Sequence, residues 1–239
     1  MTFVIAQAPV IPKFEHASEC IRQNKQFCTG WFVDNFDHVF VPRLVEHIKL
    51  TAIAVGIGFA IAFTAALVAH SRGWFETPFA VFSAFLYTIP SLAFFQLLVP
   101  ITGLTVTSAE IALVSYTLLI LFRNTLTGLR EVPEDARTAA RAMGLTKGQI
   151  LRRVELPLAL PAIMAGIRIA TVTTISLATV AAFIGVGGLG QPIFNAIQSG
   201  FKTQFVAAGL LAVALALVAD ALLVLLQRQL APWMRARRA

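Results

Sequence analysis

Hydrophobic positions gather into five runs along this chain, at about 48–69, 79–98, 109–127, 158–183 and 205–227. Each approaches the roughly 20 apolar residues that a helix needs to cross a bilayer. The pattern predicts an all-α polytopic membrane protein with five core transmembrane helices, in one membrane domain over residues 44–230. The runs tile so much of the chain that no second, soluble domain fits between them. Ahead of them, residues 1–43 mix charges with aromatics and predict a peripheral arm with an amphipathic piece around Trp31 to Phe40. Its opening stretch, MTFVIAQAPVIP, has no basic n-region and too short an apolar run for a signal peptide. Residues 231–239 read as a basic tail.

Polar periodicity breaks the pattern most sharply between the third and fourth runs, where residues 134–157, EDARTAARAMGLTKGQILRRVELP, predict a charged helix-turn-helix. Pro133 suits the first helical turn, Glu134 and Asp135 face the positive end of the dipole, and Gly144 ends the helix. Ala136, Ala139, Ala140 and Met143 recur at i, i+3, i+4 and i+7 and predict one small apolar stripe, with Arg137 and Arg141 on other faces. So small a face suits insertion into a partner's groove; an amphipathic helix lying at the lipid headgroups is the plainer alternative.

Composition agrees with a bilayer: hydrophobic residues make up 57% of the chain, charged ones 13%. If five spans alternate, Arg72, Arg123, Arg130, the basic residues of the hairpin and those from Arg228 onward share one side. Lys13, Arg22, Lys25, Arg43, Lys49 and Lys202 take the other. The richer side is expected in the cytoplasm, leaving the N-terminus outside, the C-terminus inside and the hairpin in the cytosol. The net charge of +7 therefore reflects cytoplasmic arginines and anionic lipid, not nucleic acid. Cys20 and Cys28, in the arm, can pair if the arm faces outward; two unpaired thiols fit the sequence equally well.

Within the spans, Pro90 removes a backbone donor from the second run and predicts a kink, with Thr88 and Ser91 beside the freed carbonyls. Phe79, Phe82, Phe85, Tyr87, Phe94 and Phe95 crowd the same run; they can ease a cation's passage or simply face lipid. Thr171, Thr173, Thr174, Ser176 and Thr179 give the fourth run a hydroxyl-rich surface that suits helix packing better than a water route. Arg168 and Asp220 would each cost roughly 2.5–3.5 kcal/mol alone at mid-bilayer, so they are expected to face inward and to pair, as a structural feature. Gly185 to Gly190 read G-x-G-x-x-G, but they follow an apolar helix instead of a strand, which excludes a dinucleotide fold. Those glycines predict a flexible outer turn that folds residues 193–197 back against the membrane. Thr88, Pro90, Ser91, Gly187, Gly188, Gly190 and Asn195 are the pathway or gate candidates. His16, His38, His47 and His70 lack metal-ligand spacing and read as interfacial or solvated. No catalytic constellation and no phosphate loop is present, so any nucleotide hydrolysis belongs to another chain.

Thr138-Ala139-Ala140, then Gly144, then Val154, Leu156 and Pro157 follow the spacing E-A-A, three residues, G, nine residues, I-x-L-P. The segment resembles the signature of permeases of binding-protein-dependent ABC importers of the type I fold. Thr88 to Ala93, Arg123-Asn124-Thr125, Met164 to Arg168 and Ile184 to Gly190 extend the resemblance toward the osmoprotectant branch, for glycine betaine, carnitine or choline. It covers about residues 44–230, and Thr138 replaces the family's leading glutamate. The resemblance implies a coupling-helix hairpin that sits in a cleft of an ATPase subunit, with Ala139, Ala140, Arg141, Gly144, Leu145, Leu156 and Pro157 as contact residues. It implies two ATPases, a second permease subunit, an extracytoplasmic binding protein, and no cofactor on this chain, ATP and Mg being held by the ATPase. A permease of the same fold for amino acids is the alternative solute assignment. An intramembrane enzyme using Arg168 and Asp220, or a stand-alone channel, is the alternative class.

Overall fold

The computed structural model describes residues 18–231. His16 and the basic tail with Arg235, Arg237 and Arg238 lie outside the described residues. A short α1 (Glu19–Arg22) leads to α2 (Thr29–Asn35), which passes through a π-type turn, Phe36–Phe40, directly into α3 (Val41–Ser71). Arm and first span are therefore one continuous rod, and the expected boundary at residues 43/44 falls inside a helix. The aromatic spacing read as a separate amphipathic piece continues the helical face that packs Phe40 against Ala207 and Ala208.

The chain then forms α4 (Glu76–Thr88), α5 (Ser91–Thr102), α6 (Val106–Arg130), α7 (Glu134–Ala142) and α8 (Lys147–Ile150). A second π-type turn, Leu151–Glu155, joins α8 to α9 (Leu156–Val180), followed by α10 (Gly190–Ser199) and α11 (Lys202–Leu230). Four of the resulting helices are long and apolar enough to cross a bilayer: Thr29–Ser71, Val106–Arg130, Lys147–Ile184 and Lys202–Leu230. The second arm of the expected hairpin is thus the start of the long fourth-span helix, because the π-type turn absorbs one residue without stopping it.

Between the first two of these lies a broken pair. α4 and α5 meet at 98° around Ile89 and Pro90, so the expected kink is a full break. Proline denies α5 the donor that would continue α4, and Ile89 is extended at ψ 126°. At one end of the pair Glu76 is ion-paired to Arg130, the last residue of α6. At the other end Thr102 hydrogen-bonds Ser108 in the first turn of α6 at 2.6 Å. The pair therefore lies along α6 from one end to the other, about 37 Å at 1.5 Å per residue.

α6 is the axis of the bundle, packed by α3 and α9 and by α4 and α5. Apolar side chains gain little from meeting one another inside lipid, so close approach must come from small residues. Gly58 of α3 sits directly on Thr117. A Cβ on Gly128 would lie 2.7 Å from Ala162 Cβ, and one on Gly166 would lie 2.6 Å from Asn124 Cβ. Around these contacts Ala54, Ala62, Ala66, Ala109, Ala112 and Ala170 are fully buried.

Gly58→Leu is expected to force α3 away from α6 and cost about 1–3 kcal/mol of stability, the usual range for overpacking. Gly56→Leu, where an added Cβ meets nothing within 4 Å, is its control. Thermal unfolding in detergent compares the two, with a lowered midpoint expected for Gly58→Leu alone.

Candidate functional site

The hairpin at the end of α6 is built by local capping. Pro133 stands at the N-cap, one place before the expected first-turn position, and Glu134 and Asp135 open α7. Its other end is a Schellman motif: Gly144, at φ 79°, donates its N–H to Arg141 O at 2.9 Å, and Leu145 donates to Ala140 O at 3.2 Å. Thr146 and Gln149 then cap α8 reciprocally, each side chain accepting the other's backbone N–H. That T-x-x-Q box stands in the sequence and is the signal that fixes where the second helix begins.

The predicted single stripe is split. Ala140 is buried against the chain itself and Ala136 half-buried, while Ala139, Met143 and Gly144 face outward. Leu145 is half-buried, and Leu156 packs on Leu129, Ala159 and Ile163 inside the bundle, with Pro157 half-buried beside it at the start of α9. Of the two arginines expected on the other faces of α7, only Arg141 points outward. Arg137 folds inward, donating Nε–H to Glu155 Oε1 at 2.7 Å and Nη2–H to the Leu129 carbonyl at 2.7 Å. Arg141, Arg152 and Arg153 remain exposed. Hydrogen bonding from Arg137, with the Arg141 charge nearby, holds the exposed Glu134 carboxyl below its ordinary pKa.

Glu155 is the residue that the sequence reading passed over. Its side chain is 9% exposed, and His70, at the end of α3, donates Nε2–H to its other oxygen at 3.1 Å. One carboxylate thus ties the hairpin to α3 through His70. Through Arg137 it also ties the hairpin to α6, because the same guanidinium holds Leu129 O. Of the histidines expected to be interfacial or solvated, His70 stands at a helix end held by Glu155, and His47 is fully buried.

At the break between α4 and α5, Thr88 donates its hydroxyl to Phe85 O at 2.7 Å, whereas the Ser91 side chain makes no hydrogen bond among the described residues. Tyr116, eleventh residue of the 25 in α6, donates its hydroxyl to Ile89 O and so pins the break near mid-span. Its ring meets Tyr87 edge-on at 5.9 Å and Phe94 at 5.8 Å.

On the face opposite the hairpin, the N-terminal segment holds α10 at both ends. Gly188 N–H donates to Glu46 at 2.9 Å, and Leu189 N–H donates to Nδ1 of the fully buried His47 at 3.1 Å. His47 Nε2 in turn donates to Ile175 O at 2.9 Å, which fixes the neutral tautomer. These glycines serve close approach where flexibility was expected: Gly187 abuts Glu46, and Gly190 abuts the Thr179 backbone with no room for a Cβ. Asn195 is exposed on α10 and accepts from Gln191 at 3.0 Å. At the far end of α10, Asn24 donates to Gly200 O at 2.8 Å and accepts from Lys202 N–H at 3.1 Å. Cys28 N–H donates to Thr203 Oγ1 at 3.0 Å. A Cys20–Cys28 disulfide, Cα atoms 5.8 Å apart, closes the loop that presents Asn24.

Arg168 of α9 and Asp220 of α11 are brought together as a bidentate pair, Nε to Oδ1 at 2.7 Å and Nη2 to Oδ2 at 2.9 Å. Thr171, Thr173 and Thr179 spend their hydroxyls on carbonyls of their own helix. Hydroxyls bonded that way are free to lie in helix interfaces.

A broken helix pair, a capped polar hairpin and a half-buried arginine–aspartate pair among long apolar helices describe the membrane component of a transporter, and comparison with known proteins gives the family. The chain belongs to the binding-protein-dependent transport system inner membrane components, whose family model matches residues 52–236. It is 39% identical over 192 residues to the osmoprotectant import permease protein OsmW of Salmonella typhimurium, covering 78% of this chain and 89% of that protein. It is 36% identical to the choline transport system permease protein OpuBB of Bacillus subtilis, covering 80% and 88%. The carnitine transport permease protein OpuCB of Listeria monocytogenes is also 36% identical, covering 84% and 92%. Among solved structures, the inward-facing MetNI methionine ABC transporter superposes with a TM-score of 0.71 at 23% identity, over 80% of this chain and 95% of that one. An amino acid ABC transporter solved with histidines gives 0.69 at 20% identity, over 83% and 97%. The fold is that of the type I ABC importer permeases.

Glu155→Ala leaves Arg137 and His70 facing a vacancy in a nearly dry site, and a loss of about 3 kcal/mol is expected, the scale of breaking a buried ion pair. Hydrogen exchange should quicken over residues 134–157 ahead of the spans, and Glu155→Gln, which keeps one acceptor, should fall between.

Proposed function

We propose that this chain is the permease subunit of an ATP-driven ABC importer for a compatible solute of the quaternary ammonium class: glycine betaine, choline, carnitine or a close analogue. The observation that carries the reading is the similarity to OsmW over 89% of that protein's length. Permeases named for choline and carnitine match over comparable spans.

One five-span chain supplies one wall of a pathway, so it pairs with a second permease, identical or related. A binding protein delivers the solute from outside, and two ATPase subunits dock from the cytosol, holding the ATP and Mg that this chain does not bind. The hairpin is the part they grip, with Ala139, Arg141, Met143 and Gly144 on the accessible face and Thr138 where relatives of this class carry glutamate. Ala140, Leu156 and Pro157 then act from behind that face, by fixing its shape. The hairpin lies in the cytoplasm and the arm outside; the disulfide beyond the opposite end of the bundle supports this orientation, because such bonds persist in oxidising compartments. Closure of the ATPases on nucleotide draws the hairpins together and opens the outer gate around α10, and hydrolysis resets it. The work comes from ATPase contacts that differ between the two states, since equal contacts would shift nothing. The Arg168–Asp220 pair holds α9 to α11 and takes no part in chemistry.

Cells carrying this chain with its partner subunits are expected to accumulate labelled betaine, choline or carnitine above cells lacking it. Equal uptake of all three would overturn the solute assignment. Gly144→Val, strained at a positive φ that favours glycine, is expected to insert normally yet abolish transport-coupled ATP hydrolysis; unchanged uptake would count against the docking role.

A further inference from the structure

The break between α4 and α5 has chemistry left over after its structural contacts are counted. A helix end carries partial negative charge on its last carbonyls. In α4 those of Phe85 and Leu86 are taken by Thr88 and by Ile89 N–H. Ile89 O is taken by Tyr116, and Pro90 O by Phe94 N–H. The carbonyls of Tyr87 and Thr88 receive no hydrogen bond from any described residue. Inside lipid such groups are costly unless something meets them.

Beside them stands Tyr87, whose side chain remains 40% exposed, while Tyr116 and Phe94, packed edge-on against one another, are buried at 5% and 7%. The buried rings hold the exposed one, and the Tyr116 hydroxyl on Ile89 O keeps the break from closing into a continuous helix. An exposed aromatic ring next to open carbonyls attracts a cation twice, by its quadrupole and by the peptide dipoles. A quaternary ammonium has no N–H to donate, so it needs a ring and oxygens rather than a hydrogen-bond acceptor of fixed direction. No acidic side chain is present among residues 77–109, and Arg123 follows Tyr116 seven residues further along α6 toward the hairpin. The next acid, Glu110 on α6, keeps both carboxylate oxygens buried, so the attraction at the break comes from the ring and the peptide dipoles and stays weak, as a site that must also release its passenger requires.

We propose that the α4–α5 break is a mid-membrane transit site for the quaternary ammonium group of the solute, formed by the Tyr87 ring and the Tyr87 and Thr88 carbonyls, with Tyr116 as the positioning residue. The proposal rests on the quaternary ammonium assignment above, and its test separates the two. The chain is reconstituted with its ATPases and binding protein in liposomes, and initial uptake of labelled choline and betaine is measured for wild type, Tyr87→Leu and Tyr87→Phe. Tyr87→Leu should lower the maximal uptake rate about tenfold, the scale of one desolvated cation–π contact. The half-saturating concentration, set by capture on the binding protein, should hardly move. Tyr87→Phe, which keeps the ring, should recover most of the rate. Wild-type rates in Tyr87→Leu, or a Phe variant as slow as the Leu variant, would overturn the transit site while leaving the solute assignment intact. A wild-type complex that carries neither solute would overturn both.

Discussion

A carboxylate removed from water is costly unless charge and donors meet it, and the way Glu155 is met ties the hairpin to the membrane helices. Its oxygens are divided between Arg137 of the hairpin and His70 of α3, and Arg137 reaches on to the last turn of α6. A hairpin held only by its two chain connections would swivel; one bonded to two different membrane helices moves only if they move. Under the proposed function this stiffness is what lets a push on α7 arrive in the bundle as displacement instead of being lost in a loop.

Under the same proposal the push enters the bundle through α6, whose crossings are set by glycine. With Gly58, Gly128 and Gly166 at the crossings, backbones approach to a distance that leaves no slack for side chains to rearrange. α3 and α9 therefore follow α6 as a unit. The broken pair differs: α4 and α5 are tied to α6 at their outer ends, by Glu76–Arg130 and Thr102–Ser108, while at their junction one tyrosine bond and a set of ring contacts hold them and two carbonyls are open. Rigidity and compliance are thus assigned to separate parts of one small domain, the packed trio on one hand and the bent span on the other.

Much of this was legible in the residues because hydropathy is a property of segments. The long helices, the hairpin, the resemblance that pointed to the family, and the pairing of Arg168 with Asp220 all follow from local composition and from the cost of a lone charge in lipid. What was missed depends on which segments meet. Arg137 was read as an outward charge because nothing in α7 shows that Glu155, eighteen residues on, will lie within reach. His47 reads as interfacial or solvated because its acceptor and donor, Ile175 and Leu189, stand 128 and 142 residues away. Gly187 and Gly190 looked flexible since only the folded chain reveals Glu46 and the Thr179 backbone against them. The proline break was visible in kind but not in degree, as its angle is fixed by Tyr116 across the bundle. Only the Thr146–Gln149 box was both local and unread.

The grip on α10 has an evolutionary consequence. Asn24, Cys28, Glu46 and His47, which hold its two ends, all precede residue 52, where the family match begins. The matched portion thus carries α10 itself, while its fasteners stand ahead of it, in the arm and the first turns of α3. A chimera that grafts a relative's opening segment onto this body would exchange the first turns of α3 along with the arm, keep every hairpin contact, and hand α10 to an unfamiliar set of fingers.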